Sequence, residues 1–366
     1  MKFKALAFRN FRNLDDVEVE ASPGLNVIWG DNAQGKTNFL EGIYLLGNGK
    51  SFRTARNEQL IGHGATHSRL SGKIFANRVD NTIELQIDAQ SKRFSINNKG
   101  IGSVDEIIAL NRQILFFPED VAIARGSPSG RRNLIDRAIF LSRPAYLRQV
   151  QDYNRLLRHR NQLLKENAES PQMTVWTEQL ARSGAAIRCR RREFVASFQG
   201  YLRQAHARLS AHREEADILL PSGSGDLQTA TEELAQDLQR LGGREARLGM
   251  TLAGPHRDDP QFHVDGLDLR RYGSQGQQRS FILAFKTALV NFLEDAIGAS
   301  PILLLDDITS ELDRQRKESF LGYLLDRGGQ VFITTTDLAS LLPEGLPGAA
   351  YYKVDKGRIF TEERVN

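Results

Sequence analysis

The chain has 366 residues, of which 40% are hydrophobic and 26% charged. That balance is globular and excludes intrinsic disorder and collagen-like repetition. The longest apolar runs, such as Pro301–Leu305, fall far short of the roughly 18 residues a membrane span requires. The formal charge is only +4, but Arg125–Arg213 holds 18 basic residues, 17 of them Arg.

Met1–Ala5 alternates polar with apolar and has no apolar signal core. Cys189 is the single cysteine, so no internal disulfide forms. The expectation is a soluble, cytoplasmic protein that makes no use of a membrane. Met1–Phe8 and Leu14–Glu20 alternate like strands, and Leu25–Trp29 is a short apolar strand that stops at Gly30. A helical pattern follows from Lys36 to Leu46, then several short β-prone stretches between His67 and Asn97, then a strand at Ile114–Phe117.

The character changes at Gly126–Gly130. Tyr146, Val150, Tyr153, Leu157 and Leu164 form a helical seam interrupted by Arg160. Beyond Pro171, Phe194, Phe198, Leu202, Ala205 and Leu209 share one helical face. The pattern predicts an antiparallel helical hairpin with arms of about 20 and 38 residues, the longer spanning about 57 Å. Another helix is expected over Gln228–Leu241, a hairpin around Asp265-Gly266, and a helix over Gln277–Ala296. Strand Ile302–Leu305, helix Asp313–Leu325, strand Gln330–Thr334 and a hairpin over Tyr351–Phe360 close the chain. Strands alternating with helices imply α/β architecture with a largely parallel core sheet and an antiparallel β addition. The expected division is a head of residues 1–125 and 250–366 carrying an α-helical, Arg-rich insert of residues 126–249.

Gly30-Asp31-Asn32-Ala33-Gln34-Gly35-Lys36-Thr37 fits G-x-x-x-x-G-K-[ST] between a strand and a helix. Such a loop turns backbone N–H groups toward phosphate, Lys36 reaches the β- and γ-phosphates, and Thr37 holds Mg²⁺. The apolar strand ending in Asp306-Asp307 supplies a carboxylate, Asp306, that holds the metal through water, while Asp307 orients or deprotonates attacking water. Ser274-Gln275-Gly276-Gln277 opens a helix and resembles the Leu-Ser-Gly-Gly-Gln signature of ABC-type ATPases. In that superfamily the loop binds a nucleotide held by the other subunit, and Ser310–Asp313 stands where its D-loop stands. A transporter ATPase or a small-molecule P-loop kinase would share part of this set.

Asn10-Phe11-Arg12-Asn13, Gly49–Thr54, Phe117–Asp120, Gly126–Arg132 and Gly254–Asp259 narrow the resemblance. Over essentially its whole length the chain resembles the RecF family of bacterial recombination mediators, relatives of the structural-maintenance-of-chromosomes ATPases. The resemblance implies an ABC-type head that binds ATP and Mg²⁺ and a weak, DNA-stimulated ATPase. It also implies an ATP-dependent homodimer on single-stranded, gapped or double-stranded DNA without sequence preference. RecR and RecO are the implied partners in loading recombinase. It places Arg12, Gly30–Asn38 and Ser274–Gln277 at nucleotide, Thr37 and Asp306 at the metal, and Lys36, Asp307 and Ser274 in catalysis.

Three departures from ABC transport ATPases point to slow hydrolysis. Asp307 replaces the usual Glu, Pro118-Glu119 follows the Ile114–Phe117 strand where a Gln is expected, and Thr334–Asp337 replaces the switch His. Arg131, Arg132, Arg155 and Arg158 are the DNA-contact candidates from the Arg block, against a solvated face or an acidic protein partner. His256-Arg257-Asp258-Asp259 reads either as an acid–base or metal cluster or as a turn rich in internal hydrogen bonds. Trp29 and Trp176 read as core residues before base-stacking platforms.

Overall fold

The computed structural model describes residues 1–166, 171–210, 214–221, 223, 225–307, 320, 322–323, 328–338 and 348–362. Contacts group the chain into two compact units, Met1–Asp120 with Leu293–Asn366, and Val121–Phe292.

The first unit begins with β1 (Lys2–Arg9), β2 (Val17–Glu20), β3 (Leu25–Trp29) and helix α1 (Lys36–Asn48). β4 (His67–Ala76), β5 (Val79–Asp88), β6 (Lys92–Ile96), β7 (Lys99–Gly100), α2 (Val104–Leu110) and β8 (Gln113–Phe116) follow. An antiparallel sheet has the order β2-β1-β4-β5-β6-β7. Its β4 alternates exposed and buried residues almost without a break, as a one-sided sheet demands. Helix α1 lies between this sheet and a second one. Phe39, Leu40, Ile43 and Leu46 share a core with Phe8, Leu70 and Leu85 on one side and Ile28, Leu304 and Phe332 on the other. That explains why α1 is apolar nearly all round.

The second unit runs through α3 (Ala122–Arg125), α4 (Pro128–Ser142), α5 (Tyr146–Lys165), α6 (Pro171–Leu209), β9 (Ala216–Leu219) and α7 (Leu227–Leu248). β10 (Gln261–Val264), β11 (Leu267–Asp268), α8 (Leu269–Tyr272) and the start of α9 (Gln275–Ile297) complete it. The predicted arms match α5, with 20 residues, and α6, with 39. They are not a bare hairpin. Ala230, Leu234 and Leu238 of α7 are buried, and aromatic residues of α6 pack on α9, Phe198 lying 4.8 Å from Phe285 between ring centroids. Arg160 does not break the seam of α5, for it is buried at 3% exposure and paired with Glu245.

This unit is wider than the expected insert of 126–249. Residues 216–219 and 261–264 pair as β9 and β10, so the strand after α6 takes the segment around 260 with it. The chain then returns through α9 to β12 (Ile302–Leu305), β13 (Val331–Thr335), β14 (Ala350–Asp355) and β15 (Arg358–Glu362). The resulting sheet has the order β15-β14-β3-β13-β12-β8, parallel except for β15. Leu305 is in register with Ile333, and Ile333 with Val27, so β12 stops beside β13 and β3, which run on two residues to Thr335 and Trp29. The expected helix over 313–325 is described only at residues 320 and 322–323, and Ser310–Asp313 lie outside the described residues. Among the described residues no helix is long and apolar enough to cross a membrane.

Candidate functional site

Open parallel sheets bind ligands beyond the carboxyl ends of their strands. At that edge β3 ends and the chain turns through Gly30–Gly35 into α1. Gly30 (φ 147°) and Gly35 (φ 122°) occupy backbone regions that side chains rarely adopt, and Ala33 is left-handed at φ 63°. A Cβ on Gly30 would run into the carbonyl of Val354, and one on Gly35 would meet Leu14 Cδ2 at 2.8 Å. The loop is pinned from behind. The backbone N–H of Gly357 donates to Gln34 O at 3.0 Å, and that of Lys356 to Gln34 Oε1 at 2.6 Å. Asp31 and Asn32 are exposed at its rim.

Lys36 is 7% exposed, and its Nζ donates to Gly30 O and Asp31 O, each at 2.7 Å. Burial lowers its pKa, against the opposing pull of Asp307, Asp306 and Asp31. The ammonium is thus partly desolvated and held by neutral carbonyls, a state that an incoming anion would stabilise. Asp306, 4% exposed, has its pKa raised by burial, while hydrogen bonds from Thr334 and Thr37 act the other way. Thr37 Oγ1 donates to Asp306 Oδ1 at 3.0 Å, and Thr334 Oγ1 donates to the same oxygen at 2.7 Å. Thr334 Oγ1 also accepts from the N–H of Asp307 at 2.9 Å, fixing the left-handed turn (φ 46°) at that residue.

In the sequence Thr334 stands only as the first residue of the segment that replaces the switch His, with nothing to pair it with Asp306. Its role follows from strand order, because β13 lies between β3 and β12 and carries Thr334 between the loop and the acidic turn. The donor set suits a hard cation. Two octahedral ligands at about 2.1 Å stand about 3 Å apart, the observed Thr37–Asp306 oxygen separation. Among the described residues no cluster of three or more His, Cys, Asp or Glu could hold a metal. A cation here would therefore take its remaining ligands from phosphate and water.

Beside the first turn of α1 opens a cavity of about 820 Å³ lined by Arg12, Asn13, Asn38, Arg53, Gln59 and His63, among others. Arg12 makes a two-pronged contact with Glu41, Nε to Oε2 at 2.9 Å and Nη2 to Oε1 at 2.7 Å. Glu41 is fully buried and also accepts from Ser51 Oγ. Arg53 Nη1 reaches Asn38 Oδ1 at 2.6 Å, and Asn38 Nδ2 reaches Asn13 Oδ1 at 2.6 Å. The Asn10–Asn13 and Gly49–Thr54 segments thus converge on one wall. Gln59 and His63 were not anticipated, since no local motif marks them.

Ser274–Gln277 belongs to the second unit. Ser274 Oγ accepts from the N–H of Gln277 at 3.1 Å, and Gln277 Oε1 accepts from the N–H of Ser274 at 2.9 Å. This reciprocal capping box leaves the Ser274 hydroxyl proton available for an anion. Ser274 and Gln275 are exposed, Gly276 and Gln277 half-buried.

The Arg block divides. Arg131 is 2% exposed and binds Asp259, Pro260 O and Gly126 O. A guanidinium spent inside the fold cannot grip a phosphate backbone, so Arg131 is corrected from DNA contact to structural residue. Arg132 Nη1 is engaged by Asp258 O at 2.7 Å. Arg188 pairs with Asp258 at 2.6 Å and Arg191 with Asp136 at 2.8 Å. Arg155 and Arg158 are exposed on α5. Trp176 stacks on His159 at 4.9 Å, and Trp29 lies 5.1 Å beneath Lys353 Nζ.

His256–Asp259 is the turn rich in internal hydrogen bonds. His256 Nδ1 meets Tyr153 Oη at 2.6 Å, and Nε2 meets Thr251 O at 3.2 Å. A neutral ring protonated on Nε2 satisfies both. Burial lowers its pKa to about 4 from 6.5. The unfolded chain therefore binds the extra proton first, and stability is lost as pH falls from about 6.5 toward 4. His256→Asn should flatten that acid limb by up to about 1.4 kcal/mol per pH unit in thermal melts. Parallel limbs in parent and variant would contradict a buried neutral ring.

A family model described as the RecF/RecN/SMC N terminal domain matches residues 2–342. The DNA replication and repair protein RecF of Syntrophotalea carbinolica is 44% identical, over 97% of this chain and 98% of its own. That of Geobacter sulfurreducens is 38% identical over 98% and 99%. The solved structure of the recombination mediator protein RecF-ATP in the RecFOR pathway superimposes with a TM-score of 0.91 at 30% identity, covering 99% of this chain and 97% of that one. The Smc head domain of Pyrococcus furiosus, at 14% identity and a TM-score of 0.59, shares the fold. With its strand-end phosphate loop, acidic turn and signature segment in the order that the sequence shows, the chain belongs to the RecF family of the RecF/RecN/SMC N-terminal domain proteins.

Proposed function

We propose that this chain is an ATP-controlled DNA-binding switch of recombinational repair and replication-fork maintenance. Two copies close head to head around two nucleotides and grip DNA at single-strand gaps, and slow hydrolysis resets them. The observation that carries this reading is the convergence of Lys36, Thr37, Asp306 and Thr334 at one strand edge beside the Gly30–Gly35 loop. The names of its relatives, which include DNA replication and repair, ATP and the RecFOR pathway, supply the context and point to RecO and RecR as partners.

In this mechanism Lys36 exchanges its two carbonyl acceptors for β- and γ-phosphate oxygens. Thr37 and Asp306 would hold Mg²⁺, which would neutralise phosphate charge. Asp307 orients the attacking water. The 820 Å³ cavity takes the nucleoside end beside Arg12 and Asn38. Ser274 donates its hydroxyl proton to the γ-phosphate held by the other copy, so the triphosphate links two subunits by charge-assisted contacts that a diphosphate lacks. Asp307 reaches one methylene less far than Glu, which favours a switch over a high-flux motor. Arg155 and Arg158 remain the exposed DNA-phosphate candidates, with a sequence-independent, salt-sensitive grip.

Light scattering with ATP, ADP and no nucleotide tests the switch, with dimers expected only with ATP. Ser274→Arg should keep ATP binding by the monomer and lose the dimer. A variant that dimerises like the parent would remove the trans role of Ser274.

A further inference from the structure

The amide of Gln277 is held at both ends. Its Oε1 accepts from the N–H of Ser274 at 2.9 Å, and its Nε2 donates to Glu214 Oε1 at 2.9 Å. An amide flip would put NH₂ against the Ser274 N–H, donor to donor, and an oxygen against a carboxylate. Glu214 therefore selects the one orientation in which the capping box closes. On the opposite side of the loop, Gln278 Nε2 is fixed by Gly273 O at 2.9 Å and Leu269 O at 3.2 Å. The adjustable member is thus Gln277.

Glu214 does not belong to the signature segment. It stands at the entry to β9, where the chain returns from the long helix α6. The next residue, Glu215, exchanges two hydrogen bonds with Asp265, its N–H to Oδ1 at 2.8 Å and its carbonyl from the Asp265 N–H at 2.9 Å. Behind it His206, fully buried near the end of α6, approaches Glu214 O with Nδ1 at 3.3 Å. The same face of α6 bears on α9, the helix that the signature opens, through Phe198–Phe285 and, at 5.4 Å, Phe194–Phe292. Helix arm, return strand and signature loop are one connected assembly within the second unit.

We propose that Glu214 is a positioning residue of the signature loop, orienting Gln277 so that Ser274 presents a free hydroxyl proton to phosphate. Through it the end of the α6 arm sets the readiness of the loop. A displacement of the arm that draws Glu214 away releases the amide, and the Ser274 N–H and Oγ lose their fixed partners together. Anything bound along the arm then acts on nucleotide-dependent closure without touching nucleotide.

This inference rests on the reading of Ser274 as a trans phosphate ligand, and one experiment separates the two. Full-length parent, Ser274→Arg, Glu214→Ala and Glu214→Gln are compared for binding of a fluorescent ATP analogue at dilute protein and for the protein concentration at half-dimerisation with ATP. Glu214→Ala and Glu214→Gln should bind the analogue as the parent does. Glu214→Ala should raise the dimerisation midpoint about tenfold, the upper end of what one ordinary hydrogen bond contributes. Glu214→Gln, which keeps an acceptor oxygen, should return it to near the parental value. In a Gln277→Leu background, Glu214→Ala should add nothing, because the link is already cut.

A parental midpoint for Glu214→Ala, with Ser274→Arg still monomeric, overturns the role of Glu214 and leaves the trans reading standing. A Glu214→Gln variant as weak as Glu214→Ala, or a full additional loss in the Gln277→Leu background, overturns it too. Dimerisation of Ser274→Arg overturns the reading beneath it.

Discussion

Lys36→Met should bind ATP at least a hundredfold more weakly and form no ATP-dependent dimer, measured by analogue titration and light scattering. The side chain keeps an unbranched apolar stem and loses only the terminal ammonium, so most of the buried pocket beside Gly30 stays filled. What it loses is a desolvated positive charge with three donors, two of them resting on loop carbonyls until an anion arrives. Two charged hydrogen bonds to phosphate are worth about 1.5–3 kcal/mol each, which sets the hundredfold floor. The carbonyls of Gly30 and Asp31 lose a partner in the variant, a cost that falls on the empty protein and appears as a lower melting temperature. That cost is separable from binding, because ATP should then no longer raise the melting temperature of the variant. Parental ATP affinity in Lys36→Met would remove the phosphate loop from its assigned role.

The parts of this site visible in the sequence are the contiguous ones. Gly30–Thr37 is legible because its glycines, lysine and hydroxyl act from eight adjacent positions, with φ values of 147° and 122° that only glycine adopts freely. Asp306 is legible because an apolar strand ends on it. Thr334 is not, because its place depends on β13 being inserted between β3 and β12, and strand order is a property of the sheet. Glu41 looks like any helix residue until Arg12, 29 positions away, closes on it. Gln277 is legible as part of the signature segment, and its capping role follows from Ser-x-x-Gln at a helix start. Its anchor Glu214 lies 63 residues distant and has no local signature. The Arg block was read by charge alone, and charge does not distinguish a guanidinium that faces solvent from one that neutralises a buried carboxylate.

Arg160 is the clearest case of that second kind, and Glu245→Leu should be the most destabilising single change in the second unit. Arg160 is 3% exposed and Glu245 fully buried, 2.7 Å apart, with Thr251 and Thr177 taking the other guanidinium donors at 2.8 and 3.0 Å. The pair ties α5 to α6 through Thr177 and to α7 through Glu245. Removing one member of such a pair costs about 3–5 kcal/mol because the other charge stays buried and unmatched. The two single variants should differ. With Glu245 gone, Arg160 cannot shed its proton. With Arg160→Met, Glu245 still accepts from the N–H of Leu252, at 2.6 Å, and so keeps one partner. Glu245→Leu should therefore lower the melting transition of this unit by roughly 10 °C at neutral pH, and Arg160→Met by less. The double variant, apolar on both sides, should recover most of the loss. Equal, small losses in the two singles would mean that water reaches the pair, and that the seam of α5 is interrupted at Arg160 after all.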